Sequence, residues 1–361
     1  MHGYPSIDAT TWVNPKTPLA DQSAAMQLAV NAAAGKRLIL PDSDVRFKSV
    51  ILPPQGVKFI GVRAPFSETG LGTRLILPNN SNSPLFISES YQNNRDYVNY
   101  GVSMHGVLMD GNKANQTVAA PLVILRTSRS YFDPETNISN SKGIGLLISA
   151  TSANGTALGA PNGMPENRIS CRFDQCNEEA IYGRDGGTNK LSDVFIDGVI
   201  VNACGVGNGT PKYAIEFERG AGVRLERAQV YGNGRGSLRV TNAGLLKVLG
   251  NDFEATGMQA VGGQILDVDI SVDGYGSVRY NNNNHWSGRA NNGGNNCQFV
   301  RFTGVTPSTR VSHVGNGYHS ENFDYNSAWG YTGHASGQVK DSGTGAYRAP
   351  EPASSANIIR Q

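Results

Sequence analysis

Four glutamates in two short segments have side chains suited to acid–base chemistry. Glu178 and Glu179 precede Ala180–Arg184, and Glu216 and Glu218 lie in a similar segment further along the chain. Hydrolysis of a glycosidic bond uses two carboxyl groups, about 5–5.5 Å apart for retention of configuration or about 6.5–9.5 Å apart for inversion. Two of the four could act as acid and base. The alternative is that all four are solvated charges that pair with arginines and contribute little.

Side chains near these glutamates could bind a sugar chain. Tyr182 could stack on a sugar ring, and Arg184 and Arg239 could hold acidic groups. Asp185, at the end of the same segment as Tyr182, is a further candidate, and Thr241 lies close to Arg239.

A repeat of apolar residues predicts how these segments are positioned. A step of 23 residues carries Val223, Leu225, Val230 and Leu238 to Leu246, Val248, Phe253 and Val261. One rung earlier the step is 29 residues, which an insertion within 205–211 explains, and it places Val194, Ile196 and Val201 in the same columns. Such a repeat predicts a solenoid whose strands stack about 4.8 Å apart, because one rung cannot bury its apolar face alone.

Alternation within each strand then assigns side chains to the two faces of the wall. Residues 181, 215, 217, 238 and 240 are expected to point inward. Their neighbours are expected to point outward and to share one face, and these are Tyr182, Arg184, Glu216, Glu218, Arg239 and Thr241. Outward positions on adjacent rungs lie about one strand spacing apart, so either geometry for two carboxyl groups could be built.

The N-terminal region resembles the entry module of the pectate-lyase-like superfamily. Residues 21–35 form an Ala-rich amphipathic pattern with Asp21 as its N-cap and Gly35 as its stop. Gly35-Lys36-Arg37-Leu38-Ile39-Leu40-Pro41 and Gly56-Val57-Lys58-Phe59-Ile60-Gly61 follow, and Asp110-Gly111-Asn112 matches a later motif. The resemblance covers about residues 20–265. It implies an all-β chain, folded as a right-handed parallel β-helix with a capping helix at 21–34.

The same resemblance implies several functions. Members include bacteriophage tailspike depolymerases and secreted polysaccharide-degrading enzymes, so a polysaccharide is the expected substrate, an extracellular or virion location is expected, and a homotrimer is the family habit. Glu178-Glu179 stands where the polygalacturonase branch carries paired aspartates, but Lys212-Tyr213-Ala214 replaces that branch's Gly-His-Gly. A lyase that uses Arg239 and Tyr182, or a non-catalytic glycan-binding fibre, remains an alternative to a hydrolase.

Composition limits the other functional classes. The formal net charge is +2 with no basic stripe, so no nucleic-acid partner is expected. There is no apolar run long enough for a membrane span, and the first residues lack the basic-then-apolar pattern of a signal sequence, so neither is expected. Neither a metal site nor a cofactor is expected. We expect an N-terminal arm at 1–20, the β-helix at 21–265, a region of irregular late rungs with subunit contacts at 266–347, and a tail at 348–361.

Overall fold

The computed structural model describes residues 5–62, 72–159, 163–187, 190–207, 209–254, 265–287, 297–305, 308–320, 329–332, 338–342 and 357–360. Across these residues the strands that pair along the sheets do so in parallel. The chain is a right-handed parallel β-helix, the hand that parallel crossover connections adopt, so the expected fold class is confirmed.

Each rung contributes strands to three columns that run along the axis of the solenoid. Column 1 consists of Val50–Leu52, Phe86–Ser88, Val123–Leu125, Leu146–Ser149, Ile181–Arg184, Tyr213–Phe217, the first parts of Gly236–Leu249 and Ile265–Asn281, Cys297–Thr303 and Trp329–Thr332.

Column 2 follows column 1 in each rung. It consists of Ser6–Asp8, Arg37–Ile39, Lys58–Ile60, Ser103–His105, Tyr131–Phe132, Arg168–Ile169, Phe195–Asp197, Gly220–Glu226, the second parts of the two long strands, Arg310–Val314, Gln338–Ser342 and Asn357–Arg360.

Column 3 closes the rung and forms a separate sheet. It consists of Asp44–Arg46, Thr73–Ile76, Val107–Asp110, Asn137–Ser139, Arg172–Asp174, Ile200–Asn202, Gln229–Tyr231, Asp252–Glu254, Asn284–Ser287 and Gly317–Ser320.

The corner between columns 2 and 3 needs a left-handed backbone residue. Gly198 has φ +66° between Phe195–Asp197 and Ile200–Asn202, and Gly250 has φ +64° at the same corner further along the axis. Glycine adopts this conformation without a steric penalty, so the chain turns from column 2 into column 3 within two residues.

Stacked side chains fill the interior. Ile181, Ile215 and Leu238 lie in register on successive rungs and are buried, as the alternation predicts. Asn251, Asn283 and Asn316 form a second buried stack, in which each side-chain amide donates to the next side chain at 2.8 and 3.0 Å. Buried amides must find such partners, because an unsatisfied polar group inside the core is costly.

The pairing register confirms most of the repeat and corrects one step of it. Ile196, Leu225 and Val248 are aligned, as are Val201, Val230 and Phe253. Leu238, however, pairs with Val268 rather than with Val261, which lies outside the described residues. The predicted 23-residue step from Leu238 to Val261 was wrong, because the chain between the strands ending at Glu254 and beginning at Ile265 is longer than in the preceding rung.

The N-terminal segments also pack onto the solenoid. The helix runs from Ser23 to Ala32, two residues shorter at each end than the expected 21–34, and its N-cap is Gln22 rather than Asp21. The side chain of Asp21 accepts the backbone N–H of Ser23 at 3.0 Å. Met26, Ala29 and Val30 are its buried side chains. Its role as the cover of the open end stays a prediction. Ser6–Asp8, within the expected arm, pairs with Arg37–Ile39 as a strand of column 2.

In the described ranges, three further short helices lie outside the columns. These are the α-helix Glu89–Gln92 and the 3-10 helices Ala9–Thr11 and Lys113–Asn115. None of the helices described is long and apolar enough to span a membrane.

Candidate functional site

The candidate residues of column 1 lie along two outward lines. Tyr182, Glu216 and Arg239 are aligned on adjacent rungs. Asp269 and Arg301 continue the same line on the next two rungs. Two residues further along the chain from the first three of these, Arg184, Glu218 and Thr241 are all half-buried. The predicted alternation therefore places these six candidates on one wall of the solenoid.

Glu179 is the most buried of the four glutamates. Only 4% of its surface is exposed, and Oε1 lies 3.9 Å from Nζ of Lys212. Burial is the main cause that raises the pKa of Glu179 to about 7. A backbone hydrogen bond and Lys212 oppose the rise, and the nearby charges of Glu216 and Glu178 add to it. A carboxyl group in this state holds its proton near neutral pH, as a general acid must.

Glu216 lies on the rung that follows Glu179 and is half-buried. Burial raises its pKa, and Arg239 is the strongest opposing influence, with Nη1 3.4 Å from Oε1 of Glu216. Lys212 and Arg235 also favour the charged form of Glu216. Two carboxyl groups on neighbouring rungs thus have different environments, one with a weak cationic contact and one facing an arginine.

Glu218 has a different set of contacts. Its Oε2 accepts the backbone N–H groups of Asp185 and Gly186, each at 2.8 Å, and its Oε1 accepts the hydroxyl of Tyr182. Oε2 therefore fastens the turn after Arg184 to the wall, and Oε1 holds Tyr182. These contacts fit a structural carboxylate better than a reacting one.

Asp185 and Glu178 do not join the Glu179–Glu216 pair directly. Asp185 is 1% exposed, and its Oδ1 accepts the backbone N–H groups of Lys190 and Leu191 at 3.0 and 3.2 Å. Its Oδ2 lies 3.3 Å from Nε of Arg219. Asp185 therefore fixes the loop that leads into column 2. Glu178 is half-buried in the turn before column 1, where its backbone carbonyl accepts the N–H of Gly205 at 2.9 Å.

Tyr182 is held on several sides. The guanidinium of Arg184 lies 5.8 Å from the centre of its ring. The ring also packs against an apolar cluster outside the main core, formed by Ile87, Ile124, Ile144 and Leu147. Burial, followed by the hydrogen bond to Glu218, raises the pKa of Tyr182.

Sequence reasoning did not select several charged residues of this wall. Asp269 accepts two hydrogen bonds from Arg301, at 2.9 and 2.6 Å, on the line that begins with Tyr182. Both residues lie beyond residue 265, where the apolar repeat is no longer visible in the sequence. The sequence offers one signal for Lys212. It lies two residues before the buried residue 214, just as Glu178 lies two residues before the buried Ala180.

Comparison with known proteins bears on the fold. No family model matches the chain, and no curated protein matches it. Among solved structures, ORF18 of Geobacillus virus E2 aligns with a TM-score of 0.64 at 12% identity, over 91% of this chain and 60% of the viral chain. This likeness supports the parallel β-helix, and the chain spans about three fifths of the viral protein's length.

Two further structures align with lower scores. The catalytic domain of Agl-KA has a TM-score of 0.48 at 11% identity, over 94% of this chain and 69% of that domain. The A-module of the Azotobacter vinelandii mannuronan C-5 epimerase AlgE6 has a TM-score of 0.42 at 13% identity, over 98% of this chain and 99% of that module.

Proposed function

We propose that the protein hydrolyses a glycosidic bond in an extended, acidic polysaccharide that lies along the outer wall of column 1. The observation that carries this proposal is the pair Glu179 and Glu216 on adjacent rungs. Glu179 is buried with its pKa raised to about 7, and Glu216 faces Arg239. Burial raises the pKa of both carboxyl groups, and Arg239 opposes that rise at Glu216, so we assign the proton to Glu179 in the acid–base pair that hydrolysis requires.

In this mechanism Glu179 donates its proton to the glycosidic oxygen as the bond between that oxygen and the anomeric carbon breaks. Glu216 is ionised, and it either attacks the anomeric carbon or removes a proton from the water that attacks it. Water supplies the hydroxyl group of the new reducing end. The two routes differ in stereochemical outcome, since a directly attacking carboxylate gives retention and an activated water gives inversion.

The charges of the wall support an acidic substrate. Arg184 and Arg239 are half-buried on its two outward lines, and Lys212 lies beside Glu179 with 42% of its side chain exposed. Cations placed along a wall that extends over successive rungs suit a linear polymer with repeated negative charges. An extracellular or virion location and a homotrimer belong to the same proposal, and light scattering of the purified protein tests the trimer.

A lyase is the second candidate, and the state of Tyr182 weighs against it. β-Elimination would need a base to remove a proton from the sugar and a cation to neutralise the uronate carboxylate, and Arg239 with Tyr182 was expected to supply them. Its pKa is raised, so its phenol resists ionisation. A non-catalytic glycan-binding fibre would use the same wall without turnover.

A product assay on a panel of acidic polysaccharides separates the three functions. Reducing ends and the ultraviolet absorbance of unsaturated uronates are followed in the same reaction, with wild type, Glu179→Gln and Glu216→Gln. Glu166→Gln is the matched control, because Glu166 is exposed and pairs with Arg129. We expect reducing ends without absorbance from wild type and the control alone. Absorbance with wild type would establish the lyase, and binding without any product would establish the fibre.

A further inference from the structure

The outer face of column 2 carries a line of basic side chains that the proposed hydrolase does not use. Arg168, Phe195, Arg224, Lys247 and Arg279 occupy the same position on five successive rungs. Arg168, Arg224 and Arg279 are exposed, and Phe195 and Lys247 are half-buried. Since adjacent strands lie about 4.8 Å apart, the line extends along the axis for about four strand spacings.

Phe195 organises two of the arginines. The guanidinium of Arg168 lies 5.5 Å from the centre of the Phe195 ring on one side, and that of Arg224 lies 4.9 Å from it on the other. Cation–π contact of this kind holds a guanidinium in a fixed orientation while its N–H groups stay available. The two arginines are therefore arranged before any ligand binds.

The charges along this line are not balanced within the protein, unlike those of column 1. In column 1, Arg239 faces Glu216 and Arg301 pairs with Asp269. In the part of the chain that the structure describes, neither Arg168, Arg224, Lys247 nor Arg279 forms an ion pair, and Asp197 pairs with Arg227 instead. Like charges on adjacent strands repel each other, and a bound anion would relieve that repulsion.

A cleft of about 400 Å³ accompanies the line and indicates which anion fits. Arg168, Phe195 and Arg224 line it together with Tyr131, Asp197 and Glu226. Carboxylates next to the arginines can accept hydrogen bonds from sugar hydroxyl groups. The same carboxylates would repel the closely spaced phosphates of a nucleic acid.

We propose that this line, from Arg168 to Arg279, is a second binding site for an anionic polysaccharide, on a different face of the solenoid from Glu179 and Glu216. The site binds without cleaving, and it does not depend on catalysis at column 1. The arginines bind the acid groups of the polymer, and Asp197 and Glu226 bind its hydroxyl groups.

Equilibrium binding at low ionic strength tests the proposal with the full chain. The probes are polygalacturonate, dextran sulfate, uncharged dextran and single-stranded DNA. The variants are R168Q/R224Q and K247Q/R279Q, and K16Q/K48Q is the control because both lysines are exposed and its net charge falls by the same amount. E179Q is included so that binding at column 2 is measured without turnover at column 1.

We expect wild type, E179Q and the control to bind at least one anionic glycan and not dextran. Each of the other two variants should bind about tenfold more weakly, since charge-assisted hydrogen bonds to the polymer are lost. Equal affinity of R168Q/R224Q and the control would overturn the proposal, as would a wild type that binds neither anionic glycan. Tighter binding of DNA that the same variants weaken would reassign the site to nucleic acid.

Discussion

Tyr182 and Glu218 are joined by a 2.7 Å hydrogen bond that runs diagonally between neighbouring strands, because Tyr182 itself is aligned with Glu216. The other oxygen of Glu218 holds the turn that follows Arg184. Glu216 lies within the strand Tyr213–Phe217 and Glu218 directly follows it, so two glutamates separated by one residue make different contacts. Glu218 fastens the wall, and Glu216 remains for the chemistry that we propose.

Replacing Glu218 should weaken the fold more than it weakens the chemistry. Glu218→Gln keeps one acceptor oxygen and places an NH2 group where an acceptor stood, so at least one donor loses its partner. We expect a loss of about 1–3 kcal/mol in the free energy of unfolding, against about 1 kcal/mol for Tyr182→Phe. Urea titration measures both. A stable Glu218→Gln variant without activity would contradict this assignment and return Glu218 to the reacting pair.

Glu179→Gln should remove activity by loss of the proton donor. We expect kcat to fall by about 10²–10⁴-fold on a substrate with a poor leaving group. Since the pKa of Glu179 is raised to about 7, wild-type activity should decline as the pH rises through about 7, and this limb should be absent from any residual activity of the variant. Glu166→Gln serves as the control. An unchanged pH profile in Glu179→Gln would rule out the assigned donor.

The same substitution should change how stability depends on pH. The folded protein binds a proton at Glu179 more tightly than the unfolded chain does, so wild-type stability should fall as the pH rises from about 4.5 to about 7 and change no further above that range. Glutamine has no such proton. The free energy of unfolding of Glu179→Gln should therefore rise relative to that of wild type by up to about 3 kcal/mol between these two pH values. Thermal unfolding at pH 5 and pH 8 compares the two proteins, and parallel stability curves would show that Glu179 titrates normally.

Arg239→Gln should move the acidic limb of the activity profile. Arg239 is the largest influence that lowers the pKa of Glu216, against burial that raises it. Without the guanidinium the pKa of Glu216 rises, so ionised Glu216 should appear only at higher pH. Profiles of kcat/KM against pH report this limb in the free enzyme. Arg129→Gln, at an exposed ion pair on another part of the surface, should leave the limb in place.

Asn283→Ala tests the buried amide stack. Asn283 accepts from the backbone N–H and side chain of Asn251, and it donates to the carbonyl of Val248 and to Asn316. Alanine would leave these buried groups without partners, and we expect a loss of about 3 kcal/mol in the free energy of unfolding. Asn284→Ala is the neighbouring control, because Asn284 is exposed and the side-chain hydrogen bond that the structure describes for it goes to Asp252. Equal losses in the two variants would show that the stack contributes little.

The sequence predicts the columns well wherever the step between rungs is short and regular. Inward positions such as Ile181 and Ile215 must be apolar, so their spacing shows in the sequence. The alignment of Leu238 could not be predicted, since Val261 satisfied the apolar pattern and the longer connection was not visible. The long strands Gly236–Leu249 and Ile265–Asn281 were also unexpected, because they join columns 1 and 2 where earlier rungs have a loop.

The sequence predicted which face of the solenoid carries the candidate site, but not which of its side chains are buried or what they contact. Alternation gives the face of each side chain, and it correctly groups Tyr182, Glu216 and Arg239. Alternation says nothing about the turns that cover a side chain, so it could not distinguish the buried Glu179 from the half-buried Glu178. Nor could it show that the turn at 185–186 engages Glu218 through backbone N–H groups, which have no side-chain signature.

The number of residues in a rung can vary while the alignment of the stacked strands stays the same. Leu225 and Val248 are 23 positions apart and Val248 and Tyr280 are 32 apart, yet both pairs stack in register. The additional residues of the longer step lie between the aligned strand positions, and the stacking of the strands is unchanged. The connections between strands can therefore change in evolution without a change in the spacing of the rungs along the axis. Whole rungs can also be added or removed, which changes the length of polymer that the surface can bind.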